Sequence, residues 1–511
     1  MRLRLWTGCL FVGLLLTAGR ALDSAIDELS SEELDKLDLS EEEDLGRFDP
    51  VKHITPTSVT KVCKTDKSEG ELCKCKTEKV KDDAVSSLMC VHKDRDTTTQ
   101  LTHTKVQPAD SDFKPTYVSF LGNLIEYIEG DSLLPGLEDT VTSIDFMHNH
   151  INEIDNNAFD KFKLRKLRLT ENFVEITEDT DGWITEKLGE TLEKLYLGYN
   201  RIVEINDDAF SPLHKLKTLV LDGNPGIILT DSTFKSGLPE LEKFSLDYCG
   251  LTSLPTKLFK NLPKLKAISL IGNPMTAIPK ALNLVNSLEI LDLSRTELTE
   301  FTKNALKDDH SVKQLYLTKM KYMYELDDCA FCGLTNLAKV DLGESKHLHM
   351  IHKNAFGRVE NKDESPKALT TLLLDKCNVS KLPEELVEWT KLTEMDISGN
   401  PLNCDEDLYW LFRDLASLHL KGETVATCAQ PKELAGQTIQ QAGAQLGEKA
   451  KPPVGGGFPI FRVFIALVFL SMVAGIVVFG IIFCNRRAHL DLDDEFADEE
   501  ERTSTPPPAA V

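Results

Sequence analysis

The side chains that can do chemistry in this 511-residue chain are chiefly its 12 cysteines and 12 histidines, so their spacing is informative. His347, His349 and His352 fall within the hexapeptide HLHMIH. A metal centre would also need a fourth ligand and a fixed geometry, and a surface cluster is the simpler reading. Cys329 and Cys332 form a CxxC pair that fits either a local disulfide or two buried thiols. A redox pair of this spacing belongs in a βαβ setting, which the flanking residues lack. Ser, His and Asp all occur, but no GxSxG elbow, HExxH, P-loop or paired-carboxylate setting accompanies them. The sequence therefore predicts no enzyme, no cofactor and no metal site.

What would position these residues is a repeated unit. The stretch LEKLYLGYNRIVEINDDAFSPL, Leu192 to Leu213, carries Leu192, Leu195, Leu197, Asn200, Ile202, Ile205 and Phe210. That is the LxxLxLxxNxI pattern of a leucine-rich repeat. Leu195 and Leu197 alternate onto one face of a short strand while Lys194, Tyr196 and Gly198 face outward. One such unit cannot bury its apolar face alone, so several must stack. The register recurs at Val118, Ile144, Leu167, Leu195, Leu219, Phe244, Ile268, Leu291, Leu315, Val340, Leu372 and Met395. The mean spacing is about 25 residues, inside the range for these repeats. Cys249 and Cys377 stand at the position of Asn200, as buried structural thiols, and Thr296, Met320 and Ser345 stand there in three successive repeats. The longer intervals contain TEDTDGWITEKLGET and GRVENKDESPK, polar insertions expected as loops outside the core.

The flanks read as a membrane topology. Residues 1–21, with Arg2, Arg4 and an apolar run from Leu10 to Leu16, form a signal peptide. Residues 22–60 are an acidic, disordered arm: positions 23–50 hold twelve Asp or Glu against Lys36 and Arg47. A cysteine-rich segment, 61–115, precedes the repeats at 116–402, and a second cap spans 403–443. A stalk, 444–462, contains Pro452-Pro453 and three glycines. Val463 to Cys484 is 22 residues without a charge, long enough for one transmembrane helix, and Arg486-Arg487 places the C-terminus in the cytoplasm. Ser471 and Gly475 would let two such helices pack as a dimer or with a cis partner. The acidic tail, 485–511, has no room for a signalling domain. Thr505-Pro506 and Ala509-Ala510-Val511 would suit a cytoplasmic adaptor, and a solvated trafficking tail is the alternative.

Taken from Cys63 to Gln437, the chain resembles the extracellular leucine-rich repeat family that includes Slit-like, Toll-like and neuronal adhesion proteins. The C…CxC…C cluster of Cys63, Cys73, Cys75 and Cys90 resembles that family's N-terminal cap, and NPLNC with TCAQPKELAG resembles its C-terminal cap. The resemblance implies bonds Cys63–Cys75 and Cys73–Cys90, although four cysteines alone allow three pairings. The C-terminal cap lacks the usual second cysteine, Glu406 standing in its place, and that cysteine's partner, which leaves one bridge, Cys404–Cys428. Asn378-Val379-Ser380 is the only N-glycosylation sequon. The expected fold is an α/β-type solenoid, a horseshoe of about twelve repeats with a parallel concave sheet, disulfide caps and one transmembrane helix.

Charge narrows the partners. The arm and the tail supply 15 of the 24 net negative charges, and the moderately acidic remainder argues against nucleic acid or heparin-like partners, which need a basic stripe. The expected binding face is the concave sheet, with Asp145, Arg168, Tyr196, Val220, Asp292, Tyr316 and Leu373 in one outward column and Asp222, Asp247 and Ile271 in the next. Its aromatic and aliphatic members are the expected anchors for an extracellular or cell-surface protein. Cell-surface recognition or adhesion at the plasma membrane is the leading expectation. A co-receptor or decoy modulating a signalling receptor in cis is the alternative.

Overall fold

Each of the twelve apolar residues at the repeat register occupies the centre of a three-residue strand. In the computed structural model these strands pair in parallel and in register, beginning Val118 to Ile144 to Leu167 to Leu195 and ending Val340 to Leu372 to Met395. Residues 58–450 are described, apart from 64–71, 81–82, 92–99, 304, 308–309, 359–364, 415–417 and 421–425. The chain divides into two units, Met1–Gly443 and Ala444–Val511. The first contains the solenoid; of the second, only the end of the helix Ile439–Ala450 is described. The signal segment, nearly all of the acidic arm, the Val463–Cys484 stretch and the tail lie outside the described residues. Among the described residues no helix is long and apolar enough to cross a membrane.

The sheet has 14 strands, two more than the repeats supply. The extra pair is an antiparallel hairpin, Lys74–Val80 with Asp83–Met89. Leu88 then pairs in parallel with Val118, so the hairpin continues the solenoid's sheet and closes its first coil. Cys63 is bonded to Cys75, tying the hairpin to the strand Thr60–Val62, and Cys73 to Cys90 across the hairpin's open end, where the Cys90 N–H donates to Ser119 O of the first coil at 2.8 Å. Cys404 is bonded to Cys428 at the other end, where Trp389 and Trp410 stack at 4.5 Å.

The short strands end for a reason visible in the backbone. The residue before each position equivalent to Asn200, a ladder of side chains running down the coils, has a positive φ in all twelve coils, from Gly122 and His148 through to Lys376 and Gly399. This left-handed step turns the chain away from the strand and delivers the next side chain inward. At Asn200 the amide Nδ2 donates to the carbonyls of Leu169 at 2.9 Å and Leu197 at 3.0 Å, while Oδ1 accepts from Val174 N–H at 2.9 Å. One side chain thus satisfies turn groups of two adjacent coils that pairing in the sheet cannot reach. Where Asn is absent, the ladder is patched. The Cys249 thiol points at the Leu221 carbonyl at 3.3 Å, and Ser345 Oγ donates to Leu317 O at 3.1 Å and accepts from Met320 N–H at 3.1 Å. Met320, fully buried, is thereby bypassed.

Behind the sheet, aromatic side chains stack from coil to coil, as in Phe301 on Phe331 at 5.0 Å and Phe331 on Phe356 at 4.6 Å. The first insertion departs from expectation. TEDTDGWITEKLGET is not an external loop: Trp183, Ile184 and Leu188 are buried, and Trp183 meets Phe159 edge-on at 5.8 Å. A short helix, Glu186–Gly189, capped by Thr185, places Leu188 inward. Three apolar residues among polar ones suffice to bring the segment into the core. Most of the second insertion, residues 359–364, lies outside the described residues.

Candidate functional site

The open face of the sheet's twelve repeat strands is built by the residues that flank each buried strand centre. The structure places the expected binding residues on this face, but covers them unequally. Val220, Asp222, Asp292 and Tyr316 are half-buried, the two carboxyls more deeply than their backbones. Asp145, Arg168, Tyr196, Asp247, Ile271 and Leu373 are each 8% exposed or less. Tyr196, Ile271 and Leu373 are therefore not the open anchors expected from alternation alone. For Tyr196 the parallel register sets a large neighbour, Arg168, alongside, and that neighbour covers it.

Tyr196 shows how this happens. The Arg168 guanidinium lies 4.9 Å from its ring centroid and the Lys166 ammonium 5.6 Å away. Arg168 in turn reaches Asp145 at 3.3 Å, and Tyr117 donates to the same carboxylate at 3.3 Å. Four neighbouring strands are thus tied by one polar chain, Tyr117–Asp145–Arg168–Tyr196. Tyr316 lies further along, with the Lys339 ammonium 4.6 Å from its ring and its hydroxyl on Gln314 at 2.9 Å.

Between these two tyrosines the face carries carboxylates that bind across strands. Asp222 Oδ1 accepts from Ser245 Oγ at 2.5 Å and from Asp247 N–H at 2.8 Å. Asp247 repeats the device one strand on, accepting from Ser269 Oγ at 2.6 Å and Ile271 N–H at 2.8 Å. Loss of hydration raises both carboxyl pKa values, and the Asp222 charge raises that of Asp247 further. Asp292 is pushed up to about 6, first by loss of hydration and then by Asp341. These groups hold the sheet face together, which their spacing did not reveal.

One feature of the edge where the strands begin escaped the repeat pattern. Two positions before each strand centre stand Arg165, Glu193, Lys217, Glu242, Lys266, Glu289 and Lys313, alternating in sign through seven coils. Arg165 and Lys217 flank Glu193 at 2.9 and 3.2 Å, and Lys313 pairs with Glu289 at 3.1 Å. Reading that single column down the repeats would have found it.

The remaining singled-out residues are dispersed. Cys329 is bonded to Cys332. Cys249 and Cys377 are buried free thiols, both pushed up to about 12 by burial, which keeps them in the unreactive protonated form. His352 approaches Asp328 at 3.4 Å, and His349 Nδ1 lies 3.0 Å from the His347 carbonyl. Asn378 is exposed, its backbone N–H on Leu348 O at 2.9 Å.

The fold is a leucine-rich repeat solenoid of about twelve turns with a parallel sheet. Residues 164–225 and 239–298 match the leucine rich repeat model, and residues 138–180 and 280–367 match the BspA type leucine rich repeat region. Among solved structures, the chain is similar to an internalin from Listeria monocytogenes at 18% identity, covering 63% of this chain and 85% of that one, with a TM-score of 0.44. A chain of the octameric complex of Latrophilin 3, Unc5D and FLRT2 matches at 18% identity, over 67% of this chain and 92% of that one, with a TM-score of 0.43. A leucine-rich repeat protein from Leptospira interrogans matches at 18% identity, over 63% and 82% of the two chains, also with a TM-score of 0.43.

Proposed function

We propose that this chain is a cell-surface recognition or adhesion protein that binds a protein partner through the open face of its sheet. The observation that carries the reading is the face itself: twelve strands in one register hold outward columns of mixed polar, aliphatic and aromatic side chains on a rigid surface. Val220 and Tyr316, only half-buried, stand near its middle, an aliphatic and an aromatic side chain suited to a protein partner. The reading takes residues 1–21 as a cleaved signal, 463–484 as a single membrane span, Asn378 as glycosylated, and the C-terminus as cytoplasmic. The disulfides at both ends of the solenoid fit an oxidising, extracellular setting.

The test is a binding screen of the full chain displayed on cells against secreted proteins and the ectodomains of membrane proteins. A membrane-anchored hit, including a second copy of this chain, supports recognition or adhesion; a soluble hit makes the chain a receptor for that ligand. The double variant Val220→Glu with Tyr316→Glu should reach the surface folded and lose the partner. Full binding by that folded variant moves the site off the sheet face.

A further inference from the structure

Five successive strands are entered through the short segments 163–166, 191–194, 215–218, 240–243 and 264–267. These segments lie side by side because the strands they feed pair in register. Together they carry nine Lys or Arg and three Glu. In a chain of net charge −24 this is a pronounced local excess of positive charge. The three carboxylates are already engaged: Glu193 with Arg165 and Lys217, Glu240 with Lys264 at 2.8 Å, and Glu242 with Lys266 at 3.5 Å. Lys163, Lys215 and Lys243 are exposed and make no ion pair among the described residues. The strip ends beyond Lys266, since the next two segments carry one charge each, Glu289 and Lys313, paired with one another.

We propose that the acidic segment 23–50 of the same chain docks on this basic strip. The two are complementary: twelve carboxylates and two cations in the segment, nine cations and three carboxylates on the strip. The segment ends ten residues before the cap strand that begins at Thr60. Its 28 residues can extend up to about 90 Å. The strip spans four strand spacings, roughly 20 Å, and begins two strands along from the first coil. Tethering at that range keeps the local concentration of the segment near the millimolar level, well above that of any free polyanion. An uncovered basic strip would collect polyanions without selectivity, and the chain's own carboxylates compete with them there. This contact does not depend on the partner proposed above.

The experiment is carbodiimide crosslinking of the full chain, which joins carboxylates to lysine amines in direct contact, read by peptide mass spectrometry on an equal mixture of light and heavy isotope-labelled protein. Links from residues 23–50 to Lys163, Lys215 or Lys243 should form within one chain and be lost at about 0.5 M salt. The variant Lys163→Gln, Lys215→Gln, Lys243→Gln should melt as the wild type does, and the segment's remaining links to the strip should fall. Light–heavy pairs making up about half of these links, the share that random pairing between chains gives, would assign the contact to a second copy and overturn the proposal, as would links from the segment to other lysines only. Independently, replacing the twelve carboxylates by their amides should cause retention on a heparin column that the wild type lacks. Equal retention of both proteins would show the strip open to polyanions and overturn the proposal.

Discussion

Asp222 and Asp247 each stand two residues past the end of adjacent strands, with the Asp247 backbone N–H donating to Asp222 Oδ1 at 2.8 Å. The pair secures the sheet at the cost of placing two poorly hydrated carboxylates side by side, which raises both pKa values. A carboxyl harder to ionise in the folded chain than in the unfolded one binds extra protons when folded. Its contribution to stability is therefore complete below the unfolded value, near 4, and is lost as pH rises through the folded value. Asp292, pushed up to about 6, acts in the same direction. The variant Asp247→Asn should lose less melting temperature than the wild type between about pH 5 and pH 7.5. Parallel pH profiles of the two proteins would remove this pair from the account.

Gly272 makes a second point about the turn that ends each strand. Its φ is +68°, and a Cβ there would run into the ring of Tyr248 from the preceding coil. Gly272→Ala should therefore destabilise the solenoid by more than about 1 kcal/mol, through the left-handed backbone and the ring displacement together. Denaturant unfolding followed by circular dichroism measures this. A variant with the wild-type midpoint would mean that the turn relaxes freely.

The repeats were legible because two periods coincide in them. Leu195 and Leu197 show the alternation of a strand, and Asn200 marks the turn, at a spacing that recurs every 25 or so residues. Each such position became a strand centre, down to the weak Val340 and Met395. The hairpin Lys74–Met89 was not legible, because KCKTEKV and DAVSSLM present few apolar residues and gain their place by pairing with the first coil. Burial of Trp183 is not legible either, because the polar composition around it predicts an external loop, whereas the indole has an aromatic partner, Phe159, one coil away. The face was legible in position but not in exposure. Alternation gives the side of the sheet on which Tyr196 stands, and only the register shows Arg168 laid against it.

The bond between Cys404 and Cys428 closes a separation of 24 residues at the end where the solenoid's core would otherwise meet water. Constraining a loop of that length in the unfolded chain contributes roughly 3 kcal/mol. The bond does not act alone there. The Trp410 indole N–H donates to the Leu382 carbonyl at 2.9 Å, and Trp410 stacks on Trp389, so the cap keeps a grip on the last coils without its disulfide. Cys428→Ser should accordingly lower the melting temperature while the repeats retain their far-ultraviolet circular dichroism. An unchanged melt would show that the bond contributes nothing to stability. Complete loss of the signal would show instead that the sheet cannot persist once this end is opened.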